Sequence, residues 1–232
     1  MITYWLTFKL KSDATFGRGD GVAGVVDAEV QHDDYGLPYL SGKTLKGLLG
    51  AECAEILFGL RQAKPDQLAD WKAAAEKLFG SPGSAAESGL MRVGDARLPR
   101  SLRSVIAAEF VSLGEAERGE YRRRTLESLT ALRRQTAMDA ATGAPLANTL
   151  RTMRVILRDT PFEAELTFLK DPDPRQQALL AACARAFRRA GTGRNRGRGR
   201  LTANLYETYP ANNSVKATTD NWFAWFRNEV QP

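Results

Sequence analysis

Lys11 to Leu49 reads KSDATFGRGDGVAGVVDAEVQHDDYGLPYLSGKTLKGLL, and its punctuation decides how the rest of the chain is arranged. It opens with a glycine-rich turn, Gly17-Arg18-Gly19-Asp20-Gly21. An apolar step from Val22 to Val26 delivers one acidic residue, Asp27, and the chain turns again at Tyr35-Gly36-Leu37-Pro38. Ser41-Gly42-Lys43-Thr44-Leu45-Lys46-Gly47 then starts a helix with small residues and two lysines. Glycine admits close approach of another backbone, and a helix N-terminus bearing cations suits phosphate. Two glycine-plus-cation segments around a single carboxylate read as a polyanion site rather than a packing element.

Working outward, residues 2–10 (ITYWLTFKL) are β-branched and aromatic with partial alternation, which predicts a strand. Downstream, Leu45, Leu48, Leu49, Cys53, Ile56 and Leu57 form one stripe, predicting a helix from Thr44 to Leu60. A second helix is expected from Asp66 to Phe79, opened by Pro65 and closed by Gly80. Ser81 to Gly89 is a glycine-serine loop, and Leu90 to Leu98 a strand interrupted at Gly94-Asp95. Residues 101–130 signal less clearly. Leu102, Val105, Ile106 and Phe110 suit a short amphipathic segment, while Gly114 to Arg124 is densely charged surface. Asp139-Ala-Ala-Thr-Gly143, flanked by Arg133, Arg134, Arg151 and Arg154, reads as a hairpin tipped by Ala140 to Asn148. Phe162 to Phe168 alternates as a strand, Pro174 to Ala190 is a helix, and Leu201 to Thr208 a closing strand. The tail from Tyr209 ends in Trp222, Phe223, Trp225 and Phe226, apolar enough to dock on the body or on a neighbour. This order is α+β, and a ferredoxin-like core with helical insertions in a single domain, 1–232, accommodates it.

A formal charge of +6 makes an anionic partner such as nucleic acid a reasonable expectation. Cys53 and Cys183 sit inside apolar helical patterns and read as core residues of a reduced protein. Two cysteines and one histidine cannot make a tetrahedral zinc site. With no signal-like start and no apolar run of spanning length, the chain is expected to be soluble and cytoplasmic. GLPYLSGKT (36–44) is not a phosphate-cradling P-loop: five residues, not four, separate its glycines, and Pro38 and Tyr39 fill the loop. Gly191 to Arg200 sets Arg194, Arg196, Arg198 and Arg200 at every second position between a helix and a strand. Arginine forks bind phosphate bidentately and stack on bases, so RNA contact is favoured over a solvated turn. Asp27 alone reads as a cap or surface acid before it reads as a catalyst, and Asp20, Glu29, Asp33 and Asp34 read as solvated acids. His32, the sole histidine, is the default general base by pKa, but its setting among turn acids makes it a surface residue.

Together these segments resemble the RAMP superfamily of CRISPR-associated proteins, in particular the backbone subunit of type III effector complexes. Val25-Val26-Asp27 followed by Gly36-Leu37-Pro38-Tyr39-Leu40-Ser41-Gly42-Lys43-Thr44-Leu45-Lys46-Gly47 is similar to that family's loop into its first helix, where Pro-Gly-Ser-Ser-Leu-Lys-Gly is common. Phe79-Gly80-Ser81 with Val93-Gly94-Asp95-Ala96, Met138 to Gly143 leading to Phe162-Glu163, and Arg194 to Gly199 resemble further family segments in the same order. The resemblance implies a modified RRM-like architecture and a thumb-like hairpin at about 131–160. It also implies stacking of copies along a CRISPR guide RNA beside other type III subunits, and cleavage of the paired target RNA. It places Asp27 at the single aspartate required for metal-dependent cleavage, with Mg2+ or Mn2+ as the ion and Asp20 as the rival position. Lys43, Lys46, Arg194, Arg196, Arg198 and Arg200 would grip the guide backbone. Non-catalytic scaffold or guide-capping subunits and a guide-processing endoribonuclease share the superfamily and stand as alternatives.

Overall fold

The β-branched and aromatic run Ile2–Leu10 forms β1, the central strand of the computed structural model, which describes residues 1–21, 26–81, 88–210 and 216–231. The step Val22–Val25 and the core of the glycine-serine loop, 82–87, lie outside the described residues. β1 pairs antiparallel with β5 (Pro161–Phe168) on one side and β6 (Leu201–Tyr206) on the other. The short β2 (Met91–Val93) extends the sheet beyond β5, giving the order β2-β5-β1-β6.

The pleat sorts the side chains. Leu6, Phe8 and Leu10 of β1, Phe162, Ala164, Leu166 and Phe168 of β5, and Leu201, Ala203 and Leu205 of β6 are all buried on one face. Against that face pack α1 (Gly42–Ala63), α2 (Leu68–Phe79), α5 (Pro174–Ala186) and α6 (Thr219–Val230). Phe8 stacks on Phe162 at 5.1 Å and meets Phe187 edge-on at 5.8 Å, while Phe16 meets Phe162 at 5.4 Å. Each such pair adds about 0.5–1.5 kcal/mol to the burial term. α5 lies deepest; Pro174 at its first turn and the reciprocal Asp173–Gln176 capping box set its start.

Several boundaries differ from expectation for local reasons. α5 stops at Ala186, four residues early, because Arg189 leaves the helix to bridge Arg200. β6 ends at Tyr206 rather than Thr208. The expected strand over 90–98 is regular only through Val93; beyond it Gly94 and Arg97 continue as separate contacts to Glu165 and Glu163. Residues 101–130, weak in sequence, form two helices, α3 (Arg100–Ser112) and α4 (Glu115–Leu129). α4 buries only Thr125 and Leu126 and is laced by Arg123 to Glu120 and Glu127 at helical spacing. The aromatic tail docks at home: Phe226 of α6 meets Trp71 edge-on at 4.9 Å, and Trp222 packs on Tyr4 at 5.0 Å.

The expected hairpin is present as β3 (Thr130–Gln135) and β4 (Arg151–Ile156), a two-stranded ribbon outside the main sheet. Its tip is held by Asp139, whose carboxylate accepts from the amides of Ala141 and Thr142 and from the Thr142 hydroxyl. These bonds to Thr142 and Ala141 hold the Asp139 carboxyl below its usual range.

Candidate nucleic-acid interface

Asp27 is fixed to the root of the ribbon. Residues 26–30 run beside β4, with a parallel bridge between Ala28 and Met153. The Asp27 amide donates to the Thr152 carbonyl at 2.8 Å, and the Thr152 amide donates back to Asp27 Oδ2 at 2.6 Å. One residue of β4 therefore orients both backbone and carboxylate of an exposed acid. From behind, Gly21 presses on the same loop: a Cβ there would stand 2.3 Å from the Val26 carbonyl oxygen and 2.8 Å from that of Asp27. No larger residue fits without moving Asp27.

Two residues on, Glu29 is a buried carboxylate rather than a solvated acid, paired with Arg154 of β4 at 2.9 Å. Arg154 also donates to the Thr130 hydroxyl at 3.3 Å, and Glu29 accepts from the Val30 amide at 2.9 Å. This pair bolts the Asp27 segment to both strands of the ribbon. Asp20, the rival acid, is in a fork with Arg18 at 2.7 and 3.2 Å, and that hydrogen bond holds its carboxyl below the ordinary range. His32 is half-buried, and its Nδ1 lies 3.0 Å from the Asp33 carbonyl oxygen, to which it donates.

The arginine segment comes to the same ribbon. Arg194–Arg196 makes one 3-10 turn between left-handed Gly193 and Gly197. Gly199, at φ +66°, lies so close to Ala190 that any Cβ would collide with its carbonyl, and its amide donates to Asp13. Arg198 touches Met153 of β4. Arg196 and Arg151 face a cleft of about 640 Å³ beneath the ribbon, walled by Gln135, Met138 and Thr149. Arg194 and Arg188 lie within charge range of Glu52 on α1; burial raises that carboxyl and the two arginines oppose the rise.

Lys43 and Lys46 stand elsewhere. Ser41 caps α1, and the Gly42 amide donates to Asp95 Oδ1 at 2.9 Å, which ties the helix start to the β2 edge. Burial raises the Asp95 carboxyl, but the Arg97 guanidinium and this amide outweigh it and hold the group below its usual range. Lys43 is exposed, whereas Lys46 Nζ donates to the Met91 carbonyl at 3.2 Å. The arginine segment leads into β6 at the opposite edge, three strand spacings or about 14 Å away. The structure thus joins Asp27, Arg151, Arg196 and Arg198 around the ribbon and leaves the lysines as a separate patch.

Among the described residues no group of three or more His, Cys, Asp or Glu side chains stands close enough to hold a metal ion. Cys53 and Cys183 are free thiols buried between α1 and α5. The hydrogen bond that the Cys183 thiol donates to Cys53, together with burial, pushes Cys183 well above its usual value. No described helix is long and apolar enough to cross a membrane.

Residues 7–202 match the sequence profile of the RAMP superfamily. No curated protein sequence matches the chain. Its fold is similar to a chain of the Type III-B Cmr-beta complex bound to cognate target RNA, at 13% identity and a TM-score of 0.59, over 88% of this chain and 97% of that one. The apo state of Cmr-beta gives the same values. A chain of a Type IV-B CRISPR complex is similar at 13% identity and a TM-score of 0.54, over 91% and 92% of the two chains.

Proposed function

Because the chain belongs to the RAMP superfamily, we propose that it is a guide-RNA-binding backbone subunit of a type III CRISPR ribonucleoprotein that cuts guide-paired target RNA. The observation that carries this reading is the pair of hydrogen bonds between Asp27 and Thr152, which presents an exposed carboxylate at the root of an arginine-flanked ribbon. Element order supports the ferredoxin-like reading: β1, α1, β2, β5, α5 and β6 follow the split βαβ arrangement, with β3–β4 as the thumb and α3–α4 as a helical insertion.

RNA carries its own nucleophile, so one carboxylate suffices if the target strand is held in line. The ribbon, standing clear of the sheet, separates one base pair of the guide–target duplex and bends the target over Asp27. Asp27 then accepts a hydrogen bond from the 2′-hydroxyl and sets its direction toward the adjacent phosphorus. Alignment of this kind lowers a barrier by up to about 7 kcal/mol. Arg151 places positive charge beside the developing phosphorane. The exposed Asp27 carboxylate would supply one ligand to Mg2+ or Mn2+, and phosphate oxygens and water would supply the others. Such an ion supplies charge neutralisation at the reacting phosphate.

Arg194, Arg196, Arg198 and Arg200, with Lys43 and Lys46 as a second contact, hold the guide backbone without reading its sequence, which base pairing does. Copies stack along the guide beside other subunits in a cytoplasmic particle. A guide-processing enzyme is disfavoured by the thumb-like ribbon β3–β4. The test is a guide-loaded complex given a target with a single 2′-deoxy nucleotide at the cut site. Cleavage should vanish at that position and persist at neighbouring ones, and chelator should stop all of it. Cleavage of the deoxy position at the ordinary rate, or cutting of repeat RNA by the protein alone, overturns the reading.

A further inference from the structure

The sheet face opposite the helices is only half covered. Register places three rows across β5, β1 and β6: Glu165–Trp5–Tyr206, Glu163–Thr7–Asn204 and Pro161–Lys9–Thr202. The first row is roofed over Glu165 and Trp5, with Tyr206 left at the edge of the cover. Arg100, at the start of α3, lies between Trp5 and Tyr209, 5.3 and 4.8 Å from their ring centres, and Tyr209 meets Trp5 edge-on at 4.7 Å. Arg100 also bonds Glu165, and both Tyr209 and Arg103 reach Glu163, so the two acids of this face are neutralised beneath the roof. Apart from buried Glu163, the other two rows are open among the described residues. They floor a cleft of about 520 Å³ lined by Thr7, Lys9, Lys11, Thr202, Asn204 and Tyr206, with the roof as one wall.

The free charge in this cleft is positive. Among the described residues Lys9 pairs only with Asp159, at 3.1 Å with both more than half exposed, a contact that phosphate readily displaces. Lys11 is exposed, and its amide donates to the Arg200 carbonyl, so the cleft runs directly into the end of the arginine segment. At its far end Tyr206, half-buried, offers a ring beside the amide of Asn204. Cations along one side, an aromatic ring and an amide on a strand floor are the elements with which sheets hold unpaired RNA.

We infer that the open half of the sheet face is a second RNA site, which takes a single-stranded stretch leaving the arginine segment, with Lys9 and Lys11 on phosphates and Tyr206 against one base. The inference rests on the RNA-binding reading above and extends it to a surface outside the ribbon.

The probe is a fluorescent 30-nucleotide single-stranded RNA titrated against purified protein over a range of salt. Lys9→Ala/Lys11→Ala should flatten the slope of log K against log salt by about 1.4, two phosphates at about 0.7 each. Tyr206→Ala should weaken binding about tenfold with little change in slope. Arg194→Ala/Arg196→Ala/Arg198→Ala serves as the second arm, and circular dichroism shows that each variant folds. If the arginine variant binds weakly while both open-face variants bind as wild type, the second site is wrong and the RNA-binding reading stands. If neither arm weakens binding, both fall. Open-face variants that bind RNA normally but drop out of the assembled complex would assign the face to a protein neighbour and overturn the inference.

Discussion

The groups that fix Asp27 in place are mostly backbone. The Thr152 amide holds one carboxylate oxygen at 2.6 Å and Gly21 leaves no slack behind the loop. Gly21→Ala is therefore expected to displace Asp27 and lower target cleavage about a hundredfold, the cost of a misplacement near 1 Å. Target affinity, read by gel shift, should stay within twofold; a variant that cuts at the wild-type rate would show that the loop tolerates the shift. Sequence could place Asp27 and Asp20 as rivals but not choose between them by chemistry. The ion pair that occupies Asp20 joins residues only two apart, and the amide that orients Asp27 belongs to a residue 125 positions away. A backbone donor leaves no mark in the side-chain alphabet. Glu29 read as one more solvated acid because its partner, Arg154, stands 125 positions away and read only as a hairpin cation.

Between elements, the Glu29–Arg154 pair decides whether the ribbon and the Asp27 segment form one unit. Both side chains are nearly out of water, 5% and 13% exposed. Arg154→Met leaves the Glu29 carboxylate buried without its counter-ion and should cost about 3–5 kcal/mol in urea unfolding. Adding Glu29→Leu should recover most of that loss, because no charge then remains to bury; a double variant as unstable as the single one would argue against the pair. Elements were legible where burial is one-sided. β1 has the expected bounds, and β5 and α1 follow their apolar periods closely. α3 was legible only as a short amphipathic segment at Leu102, Val105, Ile106 and Phe110, and α4, which buries two residues and is held by surface pairs, carries no apolar stripe to read.

At the scale of the whole molecule, the helical layer and the proposed RNA-facing surfaces are separable. α6 closes the layer over Trp71 and Tyr4, so Phe226→Ala, removing a ring that is 8% exposed, should lower stability by about 3–5 kcal/mol. RNA affinity below the melting transition should not change; a parallel loss would mean that the tail helps form the interface. The four aromatics of this tail were visible in sequence, but whether they pack at home or on a neighbour is a property of the folded surface that receives them. The central claim, that an aspartate held at the ribbon root makes this a slicing subunit, is tested most directly with assembled, guide-loaded complexes. The measurement is the single-turnover rate of target cleavage by wild type and Asp27→Ala at saturating target. The account predicts unchanged target binding with cleavage lost from the variant, while Asp20→Ala cuts normally. Cleavage by Asp27→Ala at the wild-type rate would contradict it.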